Sequence, residues 1–155
     1  AVAAARGLSM DDARFATFVG LPSDVGATLF ARYYGADFDV ADFRAATHAW
    51  IAAETAGRGV PFRPGALAWL DFVASLGIPL AVATSSGARL LAERLGAYRD
   101  RFAAMVCRSD VARGKPFPDL YLEAARRLGV DPAACLALED SPTGARAAIA
   151  AGMPV

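Results

Sequence analysis

Residues 135–155 read CLALEDSPTGARAAIAAGMPV, and this stretch does most to decide the fold. Its first four residues, 135–138, are all apolar, which is typical of a strand buried within a parallel sheet. Glu139 and Asp140 follow directly, and residues 143–151 then predict a helix. A short strand, an acidic loop and a helix in this order indicate an α/β architecture.

The same alternation of strand and helix precedes this stretch. Residues 79–84 (PLAVAT) and 104–107 (AMVC) are short apolar runs that predict two further strands, and residues 154–155 predict the beginning of another. Strands that alternate with helices predict a parallel sheet with helices on both faces. The helices of this half are predicted over residues 65–76, 87–95 and 118–128.

The first 59 residues carry helical patterns and no β-rich run. Ser9 and Ser23 are predicted to cap the first two helices, and a third helix is predicted over residues 39–56. We therefore predict an all-helical domain over residues 1–59 and an α/β domain over residues 60–155. Loops or helix ends are predicted at Gly20, Gly35, Gly57 and Gly59.

The composition excludes several classes of function. The 155 residues hold 16 cationic and 16 anionic side chains, so nothing indicates a surface for nucleic acid or for an anionic membrane. The longest apolar run falls short of the about 20 residues that a membrane span requires. Cys107 and Cys135 lack the spacing of metal ligands, and we predict free thiols in a cytoplasmic protein.

Polar residues follow each predicted strand, at the edge of a parallel sheet where ligands bind. Thr84, Ser85 and Ser86 come after the first strand and directly before a helix. Hydroxyls and unpaired N–H groups at a helix N-terminus form a site for a phosphate. The alternative is that Ser85 or Ser86 only caps that helix.

Lys115 lies in RGKPFPDLY, between the second strand and its helix, and it is the single lysine among 16 lysine and arginine residues. A compact ammonium there can neutralise a phosphate as a point charge, and the alternative is a solvated loop lysine. Glu139 and Asp140 are adjacent like charges, which is unfavourable unless a cation lies between them. Mg²⁺ would resolve this repulsion, whereas the alternative is that either acid caps the following helix.

These motifs resemble the haloacid dehalogenase (HAD) superfamily of hydrolases, in the helical-cap subfamily similar to β-phosphoglucomutase and phosphoglycolate phosphatase. PLAVATSS resembles the second motif of that family, RGKPFPDLY the third and CLALEDSPTGARAAIAAGMPV the fourth. The resemblance implies a Rossmann-like, HAD-like α/β core with an all-helical cap domain. It also implies that Thr84 and the Ser85 backbone bind the phosphoryl group, that Lys115 neutralises its oxygens, and that Asp140 holds Mg²⁺ with Glu139, directly or through water.

The first motif of the family, Asp-x-Asp-Gly-Thr, is absent from the 155 residues. In the family its first aspartate is the nucleophile that forms an aspartyl-phosphate, and its second is the general acid and base. The motif follows a strand that lies between those ending at Thr84 and Asp140. We therefore expect roughly 20 preceding residues in the complete protein, enough for a strand and its connection.

The favoured function is a Mg²⁺-dependent phosphatase acting on a small phosphorylated metabolite, with a monomer as the working expectation for the assembly. A sugar phosphomutase would use the same residues and return the phosphoryl group to its substrate. A catalytically inactive family member that serves as a binding protein is the alternative from another class. A dehalogenase is disfavoured, because that chemistry has no use for the acids at Glu139 and Asp140.

Overall fold

The computed structural model describes residues 1–19, 21, 23–56 and 61–155, and of residues 23 and 24 only the backbone. The chain divides into two compact units, residues 1–60 and 61–155. The predicted boundary between residues 59 and 60 lies outside the described residues. The same holds for the loop or helix ends predicted at Gly20, Gly57 and Gly59, and for a cap formed by the Ser23 side chain.

The first unit is helical throughout its described residues. Its helices are α1 (Val2–Ala5), α2 (Asp12–Ala16), α3 (Ser23–Tyr34) and α4 (Val40–Thr55). The prediction that Ser9 caps the first of the predicted helices is wrong, because α2 begins later and the carboxylate of Asp11 accepts from the Arg14 N–H at 2.7 Å. The carbonyl of Ser9 instead accepts bonds from the side chains of Arg14 and Tyr34.

The core of the first unit is a cluster of aromatic rings around Phe30. The centroid of the Phe30 ring lies 4.4 Å from that of Phe18, 5.5 Å from that of Phe38 and 5.2 Å from that of Phe43. Tilted and offset rings at this spacing gain attraction beyond the burial of their apolar area. The chain can turn from α3 toward α4 because Gly35 adopts a φ of 102°, which confirms the predicted helix end.

The second unit alternates helices with parallel strands. The strand β1 (Ala81–Ala83) pairs with β2 (Ala104–Val106), and Ala81 lies opposite Ala104. The helices are α5 (Ala66–Ser75), α6 (Ala88–Leu95), α7 (Asp119–Leu128) and α8 (Pro142–Ala150), and 3₁₀ turns cover Gly96–Arg101, Arg108–Asp110 and Pro132–Ala134. The helix α7 packs on both strands, which buries Val106 and Leu120 completely. The unit is therefore an α/β fold with a parallel sheet.

The strand predicted over residues 135–138 is not formed, and neither is the strand start at 154–155. The two segments share one backbone hydrogen bond, from the Ala137 N–H to the Pro154 carbonyl at 2.8 Å. A strand needs a ladder of such bonds to a neighbouring strand. Within the described ranges, the only other backbone hydrogen bond given for residues 135–138 is a local one, from the Cys135 N–H to the Pro132 carbonyl. Leu136 and Leu138 are accordingly 68% and 62% exposed.

An apolar groove of about 400 Å³ is lined on one side by β1 and on another by residues 135–138. The helices α5 and α7 supply part of the remaining lining, including Trp69, Val73 and Ala124. Elsewhere, Cys107 and Cys135 are free thiols, as predicted. No helix within the described ranges combines the length and the apolar character that crossing a membrane requires.

Candidate active site

A largely but not fully buried ion pair joins two of the sequence-predicted site residues. The Nζ atom of Lys115 lies 2.5 Å from Oε2 of Glu139, and the two side chains are only 12% and 9% exposed. Lys115 belongs to the loop between β2 and α7, whereas Glu139 directly follows residues 135–138. The fold therefore brings opposite charges from two loops together, in a setting where unpaired charges would be strongly disfavoured.

The carboxylate of Glu139 accepts hydrogen bonds on both oxygens. The hydroxyl of Tyr121 donates to Oε2 at 2.7 Å, and the backbone N–H and hydroxyl of Ser141 donate to Oε1 at 3.1 and 2.7 Å. Burial raises the pKa of Glu139, but the hydrogen bonds from Lys115, Tyr121 and Ser141 together outweigh it and hold that pKa at about 2. Glu139 is therefore an anion that four donors fix in place.

The start of α8 is shaped around this carboxylate. The hydroxyl of Ser141 accepts from the Gly144 N–H at 3.0 Å and caps the helix, so the alternative that Glu139 or Asp140 is the cap is wrong. A Cβ atom on Gly144 would lie 2.1 to 2.4 Å from the carboxylate atoms of Glu139. Only glycine leaves room for Glu139 at this position.

Asp140 differs from its neighbour in being exposed to solvent. Among the described residues, no side chain or backbone group forms a hydrogen bond or ion pair with its carboxylate. Mg²⁺ is commonly held by one or two carboxylates together with water and substrate phosphate, and Asp140 fits that need. Glu139 fits it through a bridging water, because both its oxygens already accept from protein donors. The described part of the chain holds no cluster of three acidic, histidine or cysteine side chains that could bind a metal by itself.

The hydroxyl residues after β1 lie at the start of α6. Gly87 is the N-cap residue of that helix and no side chain caps it, so the alternative that Ser85 or Ser86 is the cap is wrong. The Thr84 hydroxyl accepts from the Ser86 N–H at 3.1 Å, and Ser85 is exposed. The first turn of α6 therefore keeps N–H groups that no capping side chain satisfies, as an anion site requires.

Some of the predicted site residues contact one another directly, and others are linked only through packing in the hydrophobic core. Lys115 contacts Glu139, whereas the link to Thr84 is indirect: Ala83, the residue before it, packs against the hydrophobic cluster that contains Tyr121. Sequence reasoning missed Tyr121, Ser141 and Gly144 as parts of the site. Tyr121 lies six residues after Lys115 in RGKPFPDLY, but a tyrosine in the first turn of a helix is ordinarily a packing residue.

Comparisons with known proteins identify a family model and several relatives that match the chain. A family model described as haloacid dehalogenase-like hydrolase matches residues 3–152. The chain is 44% identical over 108 residues to the plasmid-encoded protein CbbY of Cupriavidus necator, an alignment that covers 66% of this chain and 42% of that protein. It is 41% identical over 106 residues to a probable pseudouridine-5'-phosphatase of Drosophila melanogaster, which covers 63% and 46% of the two chains.

A solved structure extends the likeness to nearly the whole chain. The crystal structure of CbbY from Rhodobacter sphaeroides in complex with phosphate superposes with a TM-score of 0.75 at 29% identity. The match covers 98% of this chain and 72% of that one. The aligned residues thus span less than half the length of the two curated relatives and about three quarters of the solved structure.

Proposed function

Because the chain belongs to the haloacid dehalogenase-like hydrolase family, we propose that the complete protein is a Mg²⁺-dependent phosphatase of a small phosphorylated metabolite. One observation carries the proposal: the Lys115 ammonium, whose side chain is 12% exposed, lies beside Glu139, and the next residue, Asp140, presents an exposed carboxylate. An ammonium suits a phosphoryl group and a carboxylate suits a hard cation. The relative named as a phosphatase and the phosphate in the CbbY structure support this class of substrate.

Lys115 is proposed to neutralise the oxygens of the phosphoryl group. An ammonium has three N–H donors, and Glu139 takes one of them, which leaves two for substrate oxygens or for an attacking carboxylate. Thr84 with Ser85 and Ser86 is proposed to hold the same group through hydroxyls and the N–H groups that begin α6. Donors that are fixed before the substrate arrives need no reorganisation during the reaction. They therefore lower the activation barrier.

Asp140 is the residue proposed to hold Mg²⁺, with Glu139 as a partner through water. When bound, the metal would supply positive charge to the phosphoryl oxygens. The hydrogen bonds from Tyr121 and Ser141 keep Glu139 oriented, so Asp140 is left free for the metal. Residues 1–59 are proposed to be the cap domain, which in such enzymes controls the access of water.

The nucleophile is proposed to come from a strand outside the 155 residues that enters the groove lined by β1 and residues 135–138. Such a strand would form backbone hydrogen bonds with both segments and cover Leu136 and Leu138. These hydrogen bonds matter because an unpaired buried backbone group costs about 1–3 kcal/mol. Its aspartate would attack the phosphorus and break the bond to the substrate alcohol, which leaves with a proton. Water would then hydrolyse the aspartyl-phosphate to inorganic phosphate and restore the carboxylate. Asp37 and Asp39 are no substitute, because no Gly-Thr follows them and Asp39 caps α4.

The partners and location proposed for the protein follow from its chemistry. Free thiols at Cys107 and Cys135 favour a reducing compartment, and we propose the cytoplasm. Equal numbers of cationic and anionic side chains favour a small metabolite over nucleic acid as the partner. A monomer stays the prediction for the assembly, and light scattering of the full-length protein would test it.

The proposed activity is tested by hydrolysis of p-nitrophenyl phosphate by the full-length protein with Mg²⁺ and with EDTA. We expect turnover only with Mg²⁺, and a loss of at least about 100-fold in kcat for Asp140→Ala. The control is Asp100→Ala, which removes an exposed carboxylate of the same unit and is expected to keep wild-type activity. Undiminished turnover by Asp140→Ala contradicts the proposal.

Two other results would identify the alternative functions. Isomerisation of a hexose phosphate without release of free phosphate would identify a phosphomutase. Complete inactivity of the wild type toward p-nitrophenyl phosphate and a panel of phosphorylated metabolites would identify a binding protein.

A further inference from the structure

We propose that Tyr121 is a positioning residue of this site, which acts on Lys115 through Glu139. This inference rests on the proposed function, in which Lys115 binds the phosphoryl group. The Tyr121 hydroxyl donates to Oε2 of Glu139 at 2.7 Å, and the Lys115 ammonium bonds the same oxygen at 2.5 Å. One carboxylate oxygen thus links the helix α7 to the phosphate-binding cation.

Tyr121 also contacts the lysine through its ring. The Lys115 ammonium lies 4.9 Å from the centroid of the Tyr121 ring, within the range of a cation–π attraction. A lysine has a flexible four-carbon stem, so a single partner would leave the direction of its ammonium poorly defined. Contacts with the carboxylate and with the ring face restrict it from two sides.

The tyrosine is itself rigidly anchored. It is 7% exposed and belongs to a cluster of buried residues that includes Ala125 of α7 and Ala147 and Ala148 of α8. The side chain has two rotatable bonds before its hydroxyl, and the packed cluster holds the ring on both helices. Its hydroxyl therefore has a defined position, which a surface tyrosine would not provide.

The rest of the carboxylate is fixed from the other helix. Ser141, the cap of α8, donates to Oε1 of Glu139 through both its N–H and its hydroxyl. Loss of the Ser141 hydroxyl leaves the N–H bond in place, whereas loss of the Tyr121 hydroxyl leaves Oε2 to Lys115 alone. The Glu139 carboxylate, still held at Oε1 by the hydrogen bonds from Ser141, can then rotate. The Lys115 ammonium moves with it. We therefore expect a larger effect from Tyr121→Phe than from Ser141→Ala.

The experiment measures p-nitrophenyl phosphate hydrolysis by the full-length protein with Mg²⁺. We expect Tyr121→Phe to lower kcat about 10- to 100-fold and to change KM by less than about 3-fold, because misplacement of a charge is felt chiefly in the transition state. Tyr98→Phe is the matched control, since Tyr98 lies in a 3₁₀ turn with its ring against Phe62. An unchanged kcat for Tyr121→Phe would overturn the proposal.

A double variant distinguishes positioning from a general effect on stability. If Tyr121 acts through Glu139, Tyr121→Phe combined with Glu139→Gln loses no more activity than Glu139→Gln alone. Losses that multiply would show that Tyr121 acts by another route and would overturn the proposal. Thermal unfolding of each variant is measured in parallel, and a loss of kcat that only follows the loss of folded protein would overturn it too.

The outcome is separable from that of the proposed function. If the wild type hydrolyses neither p-nitrophenyl phosphate nor any of a panel of phosphorylated metabolites, the proposed function fails, and the same variants are compared by calorimetric binding of inorganic phosphate. Phosphate affinity about 10-fold weaker in Tyr121→Phe, with no further loss in the double variant, supports the positioning role. Equal affinity in the wild type and Tyr121→Phe, or no phosphate binding by the wild type, overturns it.

Discussion

An ion pair of the helical unit and one of the α/β unit differ in burial, although the α/β unit also carries exposed pairs such as Arg126 with Glu123. In the helical unit, Arg6 pairs with Asp42 at 2.8 Å where both side chains remain partly exposed, and the core is built from aromatic rings. In the α/β unit, Lys115 and Glu139 are withdrawn almost completely from water. Burying an ion pair costs desolvation energy that packing alone would not require.

The difference supports the proposed location of the site in the α/β unit. A buried pair that contributes little net stability has a reason to exist when it prepares charges for a ligand. The α/β unit holds that pair next in sequence to the exposed Asp140, and the same unit contains the uncapped start of α6. In the helical unit, Arg6 and Asp42 form a partly exposed pair, and Asp11 and Asp39 cap helices.

The largest expected loss of stability comes from breaking the aromatic core of the helical unit. Phe30→Ala removes a buried ring that contacts four other aromatic rings, and we expect the free energy of unfolding to fall by about 3–5 kcal/mol. Urea unfolding of the full-length protein measures it. Affinity for inorganic phosphate is expected to stay within about 2-fold of the wild type in the protein that remains folded. A larger change would show that the phosphate site depends on the helical unit.

Lys115→Met is expected to show the opposite pattern. The free energy of unfolding should fall by only about 1–3 kcal/mol, because Tyr121 and Ser141 still donate to Glu139 after its cation is removed. Affinity for inorganic phosphate should fall at least about 10-fold, since the ammonium is the cation proposed to bind it. Calorimetry and urea unfolding measure the two quantities. Unchanged phosphate affinity in Lys115→Met would remove the distinction between the units.

Two buried glycines in the helices α3 and α8 offer a matched comparison. Gly144→Ala places a methyl group about 2 Å from the Glu139 carboxylate, and we expect a loss of about 1–3 kcal/mol. Gly26→Ala meets only the Arg44 side chain at 3.4 Å, an ordinary contact, and the better helix propensity of alanine should stabilise α3 by about 0.5–1 kcal/mol. Thermal unfolding would measure both shifts. Shifts of the same sign would contradict the account of Glu139.

The smallest effect is expected for an exposed charge cluster on α7. Hydrogen bonds from Arg126 and Arg127 lower the pKa of Glu123 to about 2. Because its pKa in the folded protein lies below the unfolded value, the contribution is present at neutral pH and is lost as the pH falls toward 2. Glu123→Gln should therefore lower the thermal midpoint slightly at pH 7. A shift as large as that of Lys115→Met would contradict the view that exposed pairs matter little.

Local patterns in the sequence predicted most of the fold. The strands β1 and β2 and the helices from α3 onward lie where periodicity, glycines and caps indicate, because such signals act within a few residues. Ser9 was mistaken for a cap because Asp11 is an equally suitable residue type two positions later. The strand over residues 135–138 could not be decided locally, because a strand exists only through a partner elsewhere in the chain.

Part of the candidate site could be predicted because of the geometry of parallel sheets. Because the carboxyl ends of parallel strands meet at one edge, the sequence could indicate that Lys115 and Glu139 lie close together. It could not indicate that Tyr121 joins them, since the role of its hydroxyl depends on how α7 packs against the segment before α8. Whether Glu139 meets a metal directly or through water depends on the same packing, and the donors from Tyr121 and Ser141 favour the latter.

The central claim is that the loop with Lys115 and the acidic residue Asp140 form one site for phosphate and Mg²⁺. The most direct measurement is the affinity of the full-length protein for inorganic phosphate with and without Mg²⁺, in the wild type and in Asp140→Ala. We predict that Mg²⁺ tightens phosphate binding at least about 10-fold in the wild type and has no effect in Asp140→Ala. Equal tightening in both proteins, or none in the wild type, would contradict the claim.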